Sequence, residues 1–475
     1  MSAVSGQRLS GSRAWITNAV LICVGSVLLL LTRQLIREFD GYSVGYEAIA
    51  GWSLVCYALA ISIVLTQPVN RSSFGIILSF AIGFRLVTLF PAPHLSSDIY
   101  RYAWDGVVQH AHISPYRYVP GDPALQFLRQ PNQELFDHMN RRDYAHTIYP
   151  PVAQMIFYGI TFISPTMTFM KAAMILFEGL TMYALVLLLK EMGFRREQAL
   201  LYAWCPLLVW EIGSSGHVDS AVMAFVALAL LFRYRRQPVL TGLFLGLAVM
   251  TKFYPLVLFP ALYRRGDYKM PVTVASVIAV GYACYASVGL GVFGFLGGYV
   301  HEEGMDTGQR YFLQELSQRL PGLHIQSTAP YLIFVAAVFV VLMIWCWQTC
   351  CSATWESVER GQTRFFGLPT EAGYLLSAFA LAGALMLLFS PHYPWYLAWL
   401  VPFFTLVPTL SALSYFGGLF FMSSTSLAVG FGPKQFLLNK ILYSVVIAAM
   451  ALDFAFRRWP LKWFKARLAS GDIHS

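Results

Sequence analysis

The chain is dominated by a succession of apolar runs, each close to the length that crosses a lipid bilayer. Val20–Leu31 and Tyr331–Trp345 carry no charged residue at all. A helix needs roughly 20 apolar residues to span the hydrocarbon. The 475 residues therefore leave room for about a dozen spans and sizeable loops. Composition agrees. Hydrophobic residues make up 57% and charged residues 12%, about half the ~25% usual in soluble domains. This excludes a disordered chain, a disulfide-stapled mini-protein and an ordinary cytosolic enzyme. The class implied is an all-α polytopic membrane protein, a single domain over residues 1–475.

Apolar runs place candidate spans near 14–32, 46–66, 73–92, 167–189, 198–212, 217–232, 271–290, 330–348, 370–390, 396–411, 412–430 and 438–456. The stretch 238–262 is basic at both ends, which fits a hairpin of two short helices broken near Thr251–Pro255, with a single crossing as the competing reading. The total is then about 12–14. Val152–Ser164 follows Pro150–Pro151 and is short enough to be interfacial or re-entrant. No cleavable signal is visible, and Trp15–Leu31 reads as a retained first span. The net charge of +9 follows from Lys and Arg flanking spans, with no nucleic-acid-binding run. Arg8/Arg13, Lys190–Arg196, Arg233–Arg236, Arg264/Arg265 and Arg457–Arg467 all share one side if the N-terminus is cytoplasmic. The basic, aromatic tail 457–475 suits a helix lying on anionic lipid. The seven cysteines show no CxxC spacing and read as small core residues.

The opposite side receives two long loops, 93–150 and 291–329, and short ones near 213–217, 391–396 and 431–437. Nine of the ten histidines fall there. The first loop, after the N-terminal spans of 1–92, holds Asp98-Ile-Tyr-Arg-Tyr-Ala-Trp-Asp105. Ser96 or Ser97 is placed to cap a short interfacial helix near 97–110. On it, Asp98, Arg101, Tyr102 and Asp105 share one face, and Tyr100, Ala103, Trp104, Val107 and Val108 another. An ordinary amphipathic surface helix has the same pattern. Glu211, His217 and Asp219 gather around a Gly/Ser turn, a weak pattern for metal ligation. Lys252 sits in an otherwise apolar stretch, where a charge needs a cavity, a partner or an interface to reach. His392 lies between two prolines beside Trp395. No repeat or inverted pair of broken segments points to a transporter.

Taken in order, Asp98-Ile-Tyr-Arg-Tyr-Ala-Trp-Asp-Gly, Pro115-Tyr116, Tyr149-Pro-Pro, Gly216-His-Val-Asp219, Lys252-Phe-Tyr-Pro255 and His392-Tyr-Pro-Trp-Tyr396 resemble the motifs of bacterial GT-C-fold glycosyltransferases. The likeness is closest to polyprenyl-phosphate-mannose-dependent mannosyltransferases and spans about residues 96–402. Two or three spans precede Asp98, where such enzymes commonly have one. The resemblance implies transfer of a hexose from a polyprenyl-phosphate sugar to a hydroxyl of a lipid-linked or glycan acceptor. It implies an inverting single displacement without metal or cofactor, in the cytoplasmic membrane of a bacterium, on the face away from the cytoplasm. Asp98, or Asp105, would be the general base. Arg101, Lys252 and His392 would hold the donor phosphate. Tyr102, Trp104, His217, Asp219 and Trp395 would complete the donor site, with aromatic rings for sugar stacking. A transporter or flippase for a lipid-linked or polar solute is the competing class.

Overall fold

The computed structural model describes residues 2–37, 45–93, 96–320, 327–348, 372–422 and 433–455, all helix, turn or loop without a strand. Six helices among them are long and apolar enough to cross a membrane. They are α1 (Ser2–Arg37, apolar from Ala14), α2 (Gly45–Thr66), α3 (Arg71–Leu89), α6 (Met167–Glu191), α11 (Thr328–Cys346) and α14 (Pro433–Ala455, apolar from Lys434). A seventh arises if Lys269–Ala283 (α9) and Ala286–Glu302, which meet at 110°, form one broken span. The last turns of that segment are α10, Leu296–Glu302.

The other expected spans are shorter, and proline and glycine explain why. Residues 198–212 are not one helix but a string of short turns broken at Pro206 and ending in a π-turn, Val209–Ser214. The 217–232 run becomes α7, Asp219–Tyr234. The hairpin at 238–262 is present. α8 (Pro238–Val249) starts with proline at its first position and stops before Lys252, and Tyr254–Leu262 returns in tight turns. α12 is Gly373–Phe389. Pro394 and Pro402 confine the next run to Pro394–Leu406, and α13 is Leu410–Met422. The expected basic helix at 457–467 and the end of the 412–430 span lie outside the described residues.

α7 is the hub. It packs on α6 and α8 and is buried on nearly every side, as expected of a helix enclosed by other helices. Between α3 and α6 lies a buried ion pair. Arg85 Nε and Nη2 donate to Glu178 Oε2 and Oε1 at 3.2 and 2.8 Å. Beside it Lys171 Nζ donates to the carbonyls of Thr88 (2.8 Å) and Pro91 (2.6 Å), where α3 ends. Positive charge there complements the helix dipole.

The loop helix forms where expected, as α4, Asp98–His110. Its setting is more enclosed than its amphipathic spacing alone requires. Residues 99–106 are all buried, because α4 is clamped between Gln133–His138 and α5 (Pro151–Ile163). Gly106 permits the closest approach. A Cβ there would lie 2.2 Å from Thr161 Oγ1 and 2.8 Å from the Phe157 carbonyl. The Pro150–Pro151 turn is tied to the hairpin tip, since the amides of Val152 and Ala153 donate to Met250 O at 2.9 and 3.3 Å.

Candidate active site

A cavity of about 880 Å³ opens beside the first turn of α4. Asp98 lines it, together with Arg101, Arg141, Tyr149, Lys252 and Arg310. Its far wall is apolar, formed by Phe339 and Met343 of α11 and Leu381 and Leu385 of α12.

Asp98 sits at a helix N-terminus, where backbone amides favour an anion. Its own amide donates to Ser96 Oγ at 3.2 Å, while Ser97 makes no side-chain cap. Asn140 Nδ2 donates to Oδ1 at 3.2 Å and the Tyr149 hydroxyl to Oδ2 at 3.4 Å. The carboxylate keeps 22% of its surface, so it is held and still reachable.

Asp105 is the opposite case. Arg101 Nε and Gln154 Nε2 each donate to it at 2.8 Å, on Oδ1 and Oδ2. Only 2% of its side chain is exposed. Arg101 Nη1 donates in turn to Ala145 O, and Gln154 to Thr147 Oγ1. This network fastens α4 to the 145–154 segment; Arg101, Ala145 and Thr147 reach the cavity wall, while Asp105 and Gln154 sit behind it. Tyr102 and Trp104 are also core residues. Tyr102 stacks on Phe157 with centroids 4.5 Å apart, and Trp104 packs on Phe136. Neither offers a free ring face to a sugar.

Lys252 reaches the cavity paired. Its Nζ donates to Asp219 Oδ2 at 2.6 Å, and the Tyr254 hydroxyl donates to Oδ1 at 2.9 Å. The ammonium also lies 5.3 Å from the Tyr396 ring. His217 is fully buried, 4.0 Å from Asp98 Oδ2 and 3.4 Å from Glu211 Oε2. Trp395 lies flat on it at 4.3 Å and on Tyr393 at 4.5 Å, with Trp395 and Tyr393 lining the cavity. Gly216, at φ +71°, makes this turn possible, since a Cβ would meet Ile99 Cδ1 at 2.5 Å.

His392 is not brought to Lys252. It lines a separate cavity of about 150 Å³ with Gln435, which lies 2.5 Å from its Nδ1. Burial, and then the charge of Arg310, push its imidazole down to about 3. A ring that stays neutral cannot serve as the cation expected from the sequence. Arg310, which lines both cavities, stands where that charge was expected. It is ion-paired with buried Glu303 and 5.8 Å from the Tyr396 ring. Arg141, at φ +52°, lines the cavity and pairs with Glu302 at 2.6 Å. Sequence reasoning missed Asn140, Arg141 and Arg310. They sit on loops without periodicity, and Asn140 is 42 residues from the carboxylate it holds. Among the described residues no group of three or more His, Cys, Asp or Glu is placed to hold a metal ion.

Residues 48–264 match the family model described as "Alpha-(1->6)-mannopyranosyltransferase, N-terminal domain". That stretch belongs to this family. It contains Asp98, Asp105, His217, Asp219 and Lys252, whereas Arg310, His392 and Trp395 lie beyond it. The match supports a glycosyltransferase of the mannosyltransferase kind, in a chain whose apolar helices suit a membrane. No curated protein matches it.

Proposed function

We propose that the chain moves mannose from a polyprenyl-phosphate donor to a hydroxyl of a lipid-linked or glycan acceptor, on the face of the membrane away from the cytoplasm. The observation behind this reading is that, of the two carboxylates lining the cavity among the described residues, Asp98 stays reachable while Glu303 is buried against Arg310, on a cavity that is cationic on one wall and apolar on the other. The acceptor oxygen attacks the anomeric carbon as the bond to the phosphate oxygen breaks. Asp98 takes the hydroxyl proton and the phosphate keeps the electron pair. One displacement inverts the centre, so a β-linked donor gives an α product. The proposed linkage is alpha-(1→6), as the family description names it.

Lys252, Arg141 and Arg310 are positioned to meet the phosphate charge, which grows as the bond breaks. The apolar wall between α11 and α12 suits the polyprenyl chain. His217 and Asp219 act from behind, Asp219 by fixing Lys252. Trp395, stacked between His217 and Tyr393, forms part of the wall on which the sugar would rest.

Membranes holding the protein, incubated with radiolabelled polyprenyl-phosphate mannose and native lipid extract, should pass label to acceptor lipid, and Asp98→Asn membranes should not. Normal transfer by Asp98→Asn rejects the base. A transporter would move its solute with Asp98→Asn, having no hydroxyl to deprotonate. The proposed orientation is tested separately. A cysteine at Gln133→Cys, an exposed site in the first loop, should react with an impermeant reagent only from outside.

A further inference from the structure

His217 stands between two carboxylates. Its Nδ1 is 4.0 Å from Asp98 Oδ2 and its Nε2 is 3.4 Å from Glu211 Oε2. Neither ring nitrogen has a hydrogen-bond partner, and neither has Glu211 Oε2, although both side chains are at least 98% buried. Buried polar atoms left this way are costly. The distances shorten to ordinary hydrogen bonds with movements of under about 1 Å, as catalytic contacts commonly do once substrate binds.

Around a neutral imidazole two proton arrangements satisfy all three groups, and the surroundings of the two carboxyls choose between them. A neutral imidazole has one N–H, so it can donate to one carboxylate, and the other must bring its own proton. An imidazolium would serve both, but burial, and then the charge of Lys252, hold the His217 pKa well below the ordinary histidine range. The two carboxyls are not equivalent. Asp98 is partly exposed and receives Asn140 and Tyr149. Glu211 is buried, and the charges facing it from neighbouring elements are the like charges of Asp98 on α4 and Asp219 on α7. Of the nearby cations, Lys252 is bonded to Asp219, Lys171 of α6 to backbone carbonyls, and Arg85 of α3 to Glu178.

We propose that Glu211 is a neutral acid that gives its O–H to His217 Nε2, so that the imidazole presents its Nδ1–H to Asp98. Glu211 and His217 are then positioning residues. They aim the base, with Trp395 holding the ring flat. The proposal rests on Asp98 being the base. It also has a pH signature. When Glu211 loses its proton it becomes the acceptor, the ring turns its N–H toward Nε2, and a lone pair faces Asp98. The rate should therefore fall on the alkaline side.

The test is the pH–rate profile of mannose transfer from polyprenyl-phosphate mannose, with donor binding measured alongside. Glu211→Gln carries a permanent N–H donor. It should turn over more slowly at neutral pH, by up to about tenfold, yet lose the alkaline decline. His217→Phe keeps the stack on Trp395 and should lose at least about tenfold in kcat with donor KM unchanged, again without the alkaline decline. Should Glu211→Gln fail to bind donor, the His217→Phe profile decides. A wild type with no alkaline decline, or one that persists at the same pH in the deciding variant, overturns the proposal. If Asp98→Asn is dead while this occurs, only the positioning pair is wrong. If Asp98→Asn is active, the base assignment itself has failed.

Discussion

The first turn of α4 and its second turn carry the same functional group into different surroundings. Asp98 receives two neutral donors and stays partly open beside a large cavity. Asp105, on roughly the same helical face, is closed off by Arg101 and Gln154. A carboxylate buried inside a packed loop keeps lone pairs but no path by which an acceptor hydroxyl can reach them. The pair shows that an acid is fitted for general-base work by what leaves it accessible, and that a second acid nearby can instead be the clamp holding the first in place.

Three substitutions separate these roles, and the largest effect belongs to the open carboxylate. Asp98→Asn should lower transfer by about 10²–10⁴-fold, with donor affinity and the thermal unfolding midpoint in detergent unchanged. Asp105→Asn should do the reverse. It leaves the Arg101 guanidinium buried without its charge partner, which costs about 3–5 kcal/mol of stability, while the folded fraction keeps near-normal turnover. A stable but inactive Asp105→Asn protein would exchange the two roles. Gly106→Val tests whether the clamp sets the geometry. Its side chain would collide with Thr161 and the Phe157 backbone, so α4 must shift from α5 at about 1–3 kcal/mol. Gly159→Ala, on α5 with open space around it, is the control. It should change the unfolding midpoint slightly or not at all, and a loss as large as that of Gly106→Val would mean that α5 tolerates no change of any kind.

The sequence carried the broad architecture and the chemistry of the first loop better than it carried their arrangement. Long runs without proline, such as those of α1, α2 and α6, read directly as spans. Runs crossed by Pro206, Pro394 and Pro402 read the same by hydropathy but break into short turns. Helix α4 was legible from its spacing, yet the same amphipathic pattern fits a helix on lipid and one clamped inside a loop. What decides between them is contact with α5 and Gln133–His138, which local spacing does not encode. Lys252 stood out because charge is rare in apolar surroundings, and its pairing with Asp219 accounts for both residues. His392 stood out for the same reason, but its sequence gives no sign that it faces Gln435. Arg310 and Asn140 carried no sign at all, since loop residues acquire their neighbours only when the chain closes.

The ion pair between Arg85 and Glu178 has a consequence for how the protein is made. Its members are 93 residues apart. A lone arginine resists partition into lipid, by roughly 2.5–3.5 kcal/mol at a helix centre and by less near the end of α3 where Arg85 lies, and a lone glutamate near the middle of α6 is also penalised. Neither α3 nor α6 is therefore an easy passenger on its own, and together they are neutral. At about 5–20 residues per second, α3 leaves the ribosome roughly 5–20 s before its counterpart. The chain synthesised in that interval is the segment bearing Asp98, Asp105 and Tyr149. Pairing of Arg85 with Glu178 joins the two helices that flank this segment and so brings its ends together. A latch between two helices thus times the closing of the loop that they flank.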